Sequence, residues 1–566
     1  MSRTYAVVAV AVVVLATVLV GGFGLRISRT TSDFYVASRT VGPRLNAAAI
    51  SGEYLSAASF LGVAGLVLVH GPDMLWYPVG YTAGYLVLLV LIAAPLRRSG
   101  AYTLPDFAEG RLESRQVRGL VGVLVTGAGW LYLVPQLQGA GLTLDILTGA
   151  PGWLGPVIVA AVVVLSVAAG GMRSITFVQA FQYWLKLTAL LVPALFLVLA
   201  WQGDGRPRVP PVGPQLAAAA GFDRAGHPLY ATYGLIVATF LGTMGLPHVV
   251  VRFYTSPDGR TARRTTVVVL ALIGAFYLLP PVYGALGRLY ASELSLGGDA
   301  DAAVLLLPGR VIGGTGGALL GALVAGGAFA AFLSTASGLT MAVAGVLTQG
   351  ARGIRHFRLA TLLAMGIPLG AALLVSGVPV ADAVGMAFAV SASSFCPLLV
   401  LGIWWRRLTP PGAVAGLLLG GGSALIAVSV TMGGGVRPGW AHALLAWPAV
   451  WSVPVGFLAM SLVSLATPGR IPPGTSAAMA RFHLPEALTA ARGGGRGTVD
   501  PDVFYETSSY GTRAVDALVR AVGIDTVVTG SDRPYALPAP PDLGAEAAVH
   551  ALRAANPARL LRGATP

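Results

Sequence analysis

Three oxygen-bearing positions in one apolar segment have the spacing of a cation site. Ala331, Ser334 and Thr335 stand at i, i+3 and i+4, so on a helix the Ala331 carbonyl and the two hydroxyls lie on one face. Neutral oxygens grouped in this way suit a hard monovalent cation. The alternative is local, because serine and threonine hydroxyls inside a helix commonly bond back to a carbonyl of their own helix.

Two further segments interrupt apolar runs with residues that a lipid-facing helix avoids. Residues 49–62 read AISGEYLSAASFLG, and residues 242–248 read GTMGLPH, in which Pro247 lacks a backbone donor. Unwound backbone at membrane depth is tolerated only where it is buried in protein or lines a cavity, and its carbonyls can then coordinate a cation. We therefore predict two broken helices. Close packing of small residues is the alternative for Ala57 and Ala58.

The composition places the elements that carry these segments in a lipid bilayer. Of 566 residues, 55% are hydrophobic and only 11% are charged, which leaves too little polar surface for a water-soluble globule. The formal net charge of +14 comes from arginines spread over short loops, so no nucleic-acid partner is predicted. The single cysteine, Cys396, excludes an internal disulfide.

Hydropathy predicts an all-α integral membrane protein with about thirteen transmembrane helices. The predicted helices are 5–23, 46–69, 75–96, 119–147, 153–170, 175–201, 229–251, 265–288, 314–348, 359–377, 381–404, 412–432 and 443–466. Arginine-rich loops, to one of which Arg252 is assigned, alternate with arginine-poor loops. By the positive-inside rule the N-terminus lies outside and the C-terminus lies in the cytoplasm.

The composition also divides the chain into three parts. Residues 1–30 form an extra N-terminal transmembrane helix and loop, because the first apolar run is long for a signal peptide. Residues 31–468 form the membrane core, which carries all the other predicted helices. Residues 469–566, rich in proline and glycine and without a membrane span, form a cytoplasmic C-terminal tail.

Six short segments together resemble the sodium:solute symporter family from about residue 32 to residue 468, and are most similar to its cation/acetate, or monocarboxylate, branch. They are 32–39 (SDFYVASR), 54–62 (YLSAASFLG), 100–107 (GAYTLPDF), 170–173 (GGMR), 245–253 (GLPHVVVRF) and 333–339 (LSTASGL). The resemblance implies a secondary transporter of the cell membrane. It further implies two inverted five-helix repeats, formed by the second to sixth and the seventh to eleventh predicted helices. Sodium is then the coupling ion, and no other cofactor is implied.

The resemblance also implies a sodium site between the first helix of repeat one and the third helix of repeat two. Its ligands, carried over by position, are the carbonyls of Gly52, Leu55 and Ala331 and the hydroxyls of Ser334 and Thr335. Gln179 departs from the family pattern, since it stands where relatives carry an aspartate near the sodium exit path.

Two ionisable residues, Glu53 and Lys186, fall inside predicted spans, where a charge is costly unless it is paired or hydrated. Their pairing with each other is one expectation. Exposure of Glu53 to the cavity, which would admit protons to the transport cycle, is the other.

The substrate is expected near the bilayer midplane, where the start of a half-helix carries partial positive charge and favours a carboxylate. Candidate contacts are Ser56, Ser59, Phe60, Tyr132, Gln136, Gln138, Thr243, His248 and Ser391. Simple packing is the alternative for Phe60 and Tyr132, and an interhelical hydrogen bond is the alternative for His248.

Small hydroxyl residues, with few of the spaced amides and acids that a sugar requires, favour a short monocarboxylate such as acetate, propionate or pyruvate. Proline, sugar and nucleobase substrates stay open, because a fold does not specify its ligand. A transporter-like sensor would need a signalling domain in the tail. An intramembrane enzyme would need paired carboxylates or a metal cluster, and the sequence contains no such pattern.

Overall fold

The computed structural model describes residues 3–27, 35–209, 227–295, 300–348, 354–374, 380–433, 439–484, 505–506 and 527–528. The chain divides into two compact units, Met1–Phe482 and His483–Pro566. In the second unit, the described residues form two short parallel strands, β1 (Tyr505–Glu506) and β2 (Val527–Val528). Most of the predicted tail lies outside the described residues, as do residues 375–377 of the predicted helix 359–377 and residues 32–34 of the first family segment.

The first unit is built from helices. Its first eight are α1 (Arg3–Ile27), α2 (Pro43–Tyr54), α3 (Val63–His70), α4 (Trp76–Val87), α5 (Ala93–Arg98), α6 (Leu104–Leu112), α7 (Arg115–Thr148) and α8 (Leu154–Gly203). They are followed by α9 (Pro228–Gly245), α10 (Pro247–Phe253), α11 (Gly259–Tyr277), α12 (Pro280–Tyr290), α13 (Ala303–Val311), α14 (Gly314–Leu347) and α15 (Ile354–Leu374). The last six are α16 (Val380–Trp404), α17 (Pro410–Gly416), α18 (Ser423–Met432), α19 (Trp440–Ala446), α20 (Ala449–Ala466) and α21 (Thr475–His483).

Ten helical segments of the described chain are long and apolar enough to cross a membrane, or eleven when the bent pair α9 and α10 counts as one span. Inside two of the ten, 58–98 and 154–203, a glycine has positive φ, Gly71 (79°) and Gly171 (55°), and a third segment begins at such a glycine, Gly314 (55°). Only glycine adopts this backbone without strain, and the helical path changes there. The all-α membrane class is confirmed, while the number of thirteen spans stays a prediction.

Both predicted helix breaks are present. α2 ends at Tyr54, and Leu55 has φ −73° and ψ 84°, outside the helical region. The chain becomes helical again in a π-helical turn, Ala58–Gly62, that leads into α3. In the second break α9 and α10 are bent by 40° at Leu246 (φ −60°, ψ 117°), because Pro247 cannot continue the backbone hydrogen bonds of α9.

The first break is enclosed by α8 and α14, which pack against α2 and against each other. Every residue from Val324 to Val346 in α14 is buried. Small residues allow this close approach of helix backbones. At Gly338 no side chain fits, since a Cβ there would overlap the carboxylate of Glu53.

The compact first unit continues beyond residue 468, where the predicted core ends. The buried Arg111 guanidinium donates to the carbonyl of Gly402 (2.8 Å) and to the Thr475 hydroxyl (3.2 Å), and burial lowers its pKa to about 10. The rings of Phe107 and Phe482 lie 5.7 Å apart. Helix α21 therefore packs against α6, and the domain limits assigned from composition stay predictions.

We expect a chain that ends after Leu484 to keep the melting temperature of the full-length protein in detergent, and a chain that ends after Pro472 to lose part of it. The shorter chain lacks α21 and with it the buried Phe482, and burial of one phenylalanine side chain stabilises by about 1.5–3 kcal/mol. Phe482→Ala in the chain that ends after Leu484 should reproduce part of this loss in melting temperature. Equal melting temperatures for the two truncated chains would contradict the packing of α21.

Candidate functional site

The five predicted sodium ligands are brought together where α2 breaks beside α14, and Lys186 of α8 lies among them. Its ammonium donates hydrogen bonds to the carbonyl of Gly52, to the carbonyl of Leu55 (2.7 Å) and to the Ser334 hydroxyl (2.9 Å). Lys186 is completely buried. A cation therefore does lie at the predicted position, and it is the protein's own ammonium group.

The two remaining predicted ligands have partners of their own. The Ser334 hydroxyl donates to the Ala331 carbonyl (3.1 Å), which is the local alternative for a serine in a helix. The Thr335 hydroxyl instead crosses to the carbonyl of Glu53 (2.6 Å) and ties α14 to the end of α2. Each of the five oxygens therefore takes part in a hydrogen bond within the protein.

Glu53 pairs with Arg252 of α10, a residue that the sequence assigned to a cytoplasmic loop. The Arg252 Nε donates to Glu53 Oε2, and both side chains are at most 2% exposed. Of the other guanidinium nitrogens, Nη1 donates to the Thr176 hydroxyl (2.9 Å) and Nη2 donates to Gln179 Oε1. The loop assignment of Arg252 is wrong, because the chain turns at Leu246 and carries α10, and with it Arg252, into the protein.

The expected pair of Glu53 with Lys186 is replaced by two separate arrangements. Glu53 has Arg252 as its ion-pair partner, and Lys186 donates to neutral oxygens only. Gln179 connects the two, since its Oε1 accepts from Arg252 and its Nε2 donates to the Ser334 carbonyl (2.8 Å). Arg252 thus donates to a neutral amide at Gln179. An aspartate at this position would add a negative charge.

The predicted substrate contacts are buried beside the same break, and several have partners. The Ser59 and Tyr277 hydroxyls lie 2.8 Å apart, as do those of Thr243 and Tyr54. The hydroxyl of Ser56 has no hydrogen-bond partner among the described residues. The paired hydroxyls connect the region of the break in α2 with α9 and α11.

Other predicted contacts differ in their surroundings. The Phe60 ring lies 6.3 Å from Phe276 and packs on Gly327, in agreement with the packing alternative. Gln138 is only partly buried, whereas Gln136 is fully buried. Gln136 Oε1 accepts a hydrogen bond from the Ala57 backbone N–H (3.0 Å), and this bond orients the amide with its nitrogen away from Ala57.

An aromatic wall surrounds these groups, and the sequence reasoning missed most of it. Neighbouring rings lie 4.8–6.0 Å apart along the chain Tyr85, Tyr54, Tyr81, Phe388, Tyr132 and His248, and Tyr277 stacks on Tyr81 at 5.8 Å. A signal was present in α4, where Tyr77, Tyr81 and Tyr85 stand at i, i+4 and i+8 and so share one helix face.

Several buried polar atoms in and beside this wall have no hydrogen-bond partner among the described residues. They are Gln136 Nε2, both ring nitrogens of His248, the Tyr81 and Tyr85 hydroxyls and the Ser391 hydroxyl. Buried polar groups in proteins are nearly always hydrogen-bonded, so a group of unpartnered ones indicates a place for a ligand or water. Most of them are hydrogen-bond donors or can act as donors.

We expect the Glu53–Arg252 pair to give a strongly non-additive double-mutant cycle. Glu53→Gln or Arg252→Met alone leaves an unpaired buried charge and lowers stability by about 3–5 kcal/mol, whereas the double variant leaves none. The melting temperatures of the purified variants test this. Arg310→Met is a control, because Arg310 and its partner Glu293 are 39% and 61% exposed and such pairs contribute about 0–1 kcal/mol. Additive losses would show that the two residues are not coupled.

Comparison with known proteins identifies the family to which this chain belongs. The model of the sodium:solute symporter family matches residues 34–420. A protein of Bacillus subtilis (strain 168), the uncharacterized symporter YwcA, is 31% identical over 469 residues, which cover 78% of this chain and 90% of that protein. A monocarboxylic acid transporter of Corynebacterium glutamicum is 31% identical over 482 residues, which cover 77% and 87% of the two chains.

The fold is also that of a known structure. A Na+-coupled sialic acid symporter, solved in a substrate-bound outward-open state, matches with a TM-score of 0.62 at 14% identity, over 81% of this chain and 98% of the other. At this identity the likeness shows the shared fold alone. The family and the structural relatives are transporters and not enzymes. The chain therefore belongs to the sodium:solute symporter family.

Proposed function

We propose that the protein imports a short-chain monocarboxylate, such as acetate, propionate or pyruvate, by alternating access, with sodium as the coupling ion that the family implies. It does so as a multi-pass protein of the cell membrane with the N-terminus outside and the C-terminus in the cytoplasm. The observation that carries the proposal is the set of unpartnered polar atoms, chiefly donors, beside the start of the half-helix at Ala57.

The chemistry of these groups matches a carboxylate. A carboxylate only accepts hydrogen bonds, and Gln136 Nε2, together with the Tyr81 and Tyr85 hydroxyls, can donate to it. The partial positive charge at the N-terminal end of the half-helix favours the same ligand. The rings around these donors offer an apolar surface to a methyl or ethyl group.

The balance of buried charges also favours an anion. A carboxylate beside Glu53 would be repelled if that residue were unpaired, but Arg252 neutralises Glu53. The ammonium of Lys186 then leaves one net positive charge at the break. The name of the Corynebacterium glutamicum relative, a monocarboxylic acid transporter, supports the same substrate class.

The two broken helices support alternating access as the mechanism. Their breaks at Leu55 and Leu246 lie beside the unpartnered groups, so a movement of one half-helix changes the access to these groups without separating whole helices. A ligand favours the conformation in which its contacts are complete. We expect the carboxylate to complete the hydrogen bonds of Gln136 and the tyrosines in one of these conformations.

Competition for uptake into proteoliposomes tests the substrate class. Labelled acetate is supplied with a sodium gradient, with a proton gradient or with neither. We expect excess propionate or pyruvate to suppress uptake, because each presents the same carboxylate to the same donors, while proline, glucose and uracil leave uptake unchanged. Strong inhibition by proline with none by propionate would assign the site to an amino acid, and inhibition by glucose or uracil would assign it to a sugar or a nucleobase.

Gln136→Glu tests the carboxylate donor. The new side chain keeps the oxygen that accepts from the Ala57 N–H but puts a negative oxygen in place of Nε2, and like charges at a binding site repel. We expect the KM for acetate to rise about tenfold or more, which corresponds to ~1.4 kcal/mol, without a loss of folded protein. The control is Gln138→Glu, two residues along α7 and only partly buried, which should change the KM little. An unchanged KM in Gln136→Glu would remove Gln136 from the binding site.

A further inference from the structure

We propose that the ammonium of Lys186 is a tethered cation that takes the place of sodium at the break in α2, so that this position does not bind sodium in the native protein. The sodium:solute symporter family implies a free ion there. In this chain a side chain of α8 fills the position. Sodium coupling then requires ligands other than these five oxygens.

The first argument is the match between donors and acceptors. A lysine ammonium has three N–H donors and no acceptor. Three oxygens receive them, the carbonyls of Gly52 and Leu55 and the hydroxyl of Ser334. The Ser334 hydroxyl uses its own hydrogen toward the Ala331 carbonyl, so its lone pair is left to accept from Lys186. All three N–H donors of the ammonium therefore have an acceptor.

The second argument is that Lys186 engages three of the five oxygens of the predicted sodium set, and that the other two also take part in hydrogen bonds. Two carbonyls and the Ser334 hydroxyl accept from Lys186, the Ala331 carbonyl accepts from Ser334, and the Thr335 hydroxyl donates to the Glu53 carbonyl. A sodium ion among these atoms would have to displace the ammonium. It would also place a second positive charge next to a buried one, which is costly at membrane depth.

The third argument is electrostatic. Glu53 is the nearest buried carboxylate, and Arg252 pairs with it, so Lys186 is not the ion-pair partner of an acid. Its charge is stabilised by backbone and hydroxyl oxygens at the C-terminal end of α2, where the helix dipole is negative. This is the environment that a transporter offers to a bound monovalent cation. Lys186 thus takes the electrostatic role of the ion as well as its position.

The choice of side chain agrees with this role. Lys186 is the only lysine among the 37 lysine and arginine residues of the chain. Arginine carries the positive charge everywhere else, including the contacts by which Arg252 bridges Glu53, Thr176 and Gln179. A compact ammonium on a flexible stem resembles a small cation, whereas the planar guanidinium does not. A lysine occurs at the one position where a point charge is needed.

The experiment compares four purified proteins, which are the wild type, Ser334→Ala, Lys186→Ala and the double variant. The melting temperature of each is measured in saturating sodium chloride and in choline chloride, because an ion that binds only the native state raises it. We expect the same sodium-induced shift in wild type and Ser334→Ala. Lys186→Ala should gain an additional shift, because its carbonyls and the Ser334 hydroxyl become free for sodium, and the double variant should lose that gain.

Transport gives a second readout, and only this one rests on the proposed function. In proteoliposomes, acetate uptake by Lys186→Ala should become activated by sodium, and adding Ser334→Ala should raise the sodium concentration for half-maximal uptake by about tenfold. In the wild-type background, Ser334→Ala should leave any sodium activation unchanged. If acetate is not the substrate, uptake fails in every protein while the sodium-induced shifts in melting temperature still decide the proposal.

Two results would overturn the proposal. One is a sodium-induced shift in the wild type that Ser334→Ala lowers, since sodium would then already bind at this position. The other is a folded Lys186→Ala protein without an additional shift, since removal of the ammonium would then not free a sodium site. Should Lys186→Ala fail to fold, the comparison of wild type with Ser334→Ala decides alone.

Discussion

The unwound backbone after Tyr54 is the constraint on which the rest of the structure depends. A carbonyl without a hydrogen-bond partner inside the bilayer costs several kcal/mol, so the break in α2 has to be surrounded by donors. Lys186 from α8 and Thr335 from α14 supply them, while Gln136 from α7 accepts from the N–H on the far side of the break. One irregular residue in one helix thus determines which three other helices must pack against it.

The buried charges follow from the same break. Glu53 lies one residue before the end of α2 at Tyr54, and a carboxylate at that depth requires a cation, which Arg252 provides from the second broken helix. The two breaks are therefore linked by an ion pair. Gln179 of α8 extends this link to the Ser334 carbonyl. Helices α2, α8, α10 and α14 therefore share one hydrogen-bond network. A movement of either broken helix has to rearrange this network.

The cluster of unpartnered polar atoms differs from the charge network in its chemistry. Aromatic rings enclose polar atoms that have no partners among the described residues, while the charged residues next to them are fully paired or hydrogen-bonded. This contrast separates the two tasks of a coupled transporter. The paired groups hold the helices in place, and the unpartnered donors are available for a solute that arrives from water. Both sets of contacts meet at residues 53–60.

The resemblance to the family added Gly52 and Leu55 to the expected site, while the residues by themselves determined the membrane class, both helix breaks and the position of Ala331, Ser334 and Thr335 on one helix face. These features are local, because hydropathy, proline, glycine and i, i+3, i+4 spacing act within one segment. Only the tertiary structure decided what fills the expected site and which acid pairs with which base. Arg252, close to the arginines of a cytoplasmic loop in the sequence, becomes a core residue when α10 turns inward. The long side chain of Lys186 ends beside residues more than 130 positions away along the chain, and such pairings depend on how helices pack and not on any pattern within one of them.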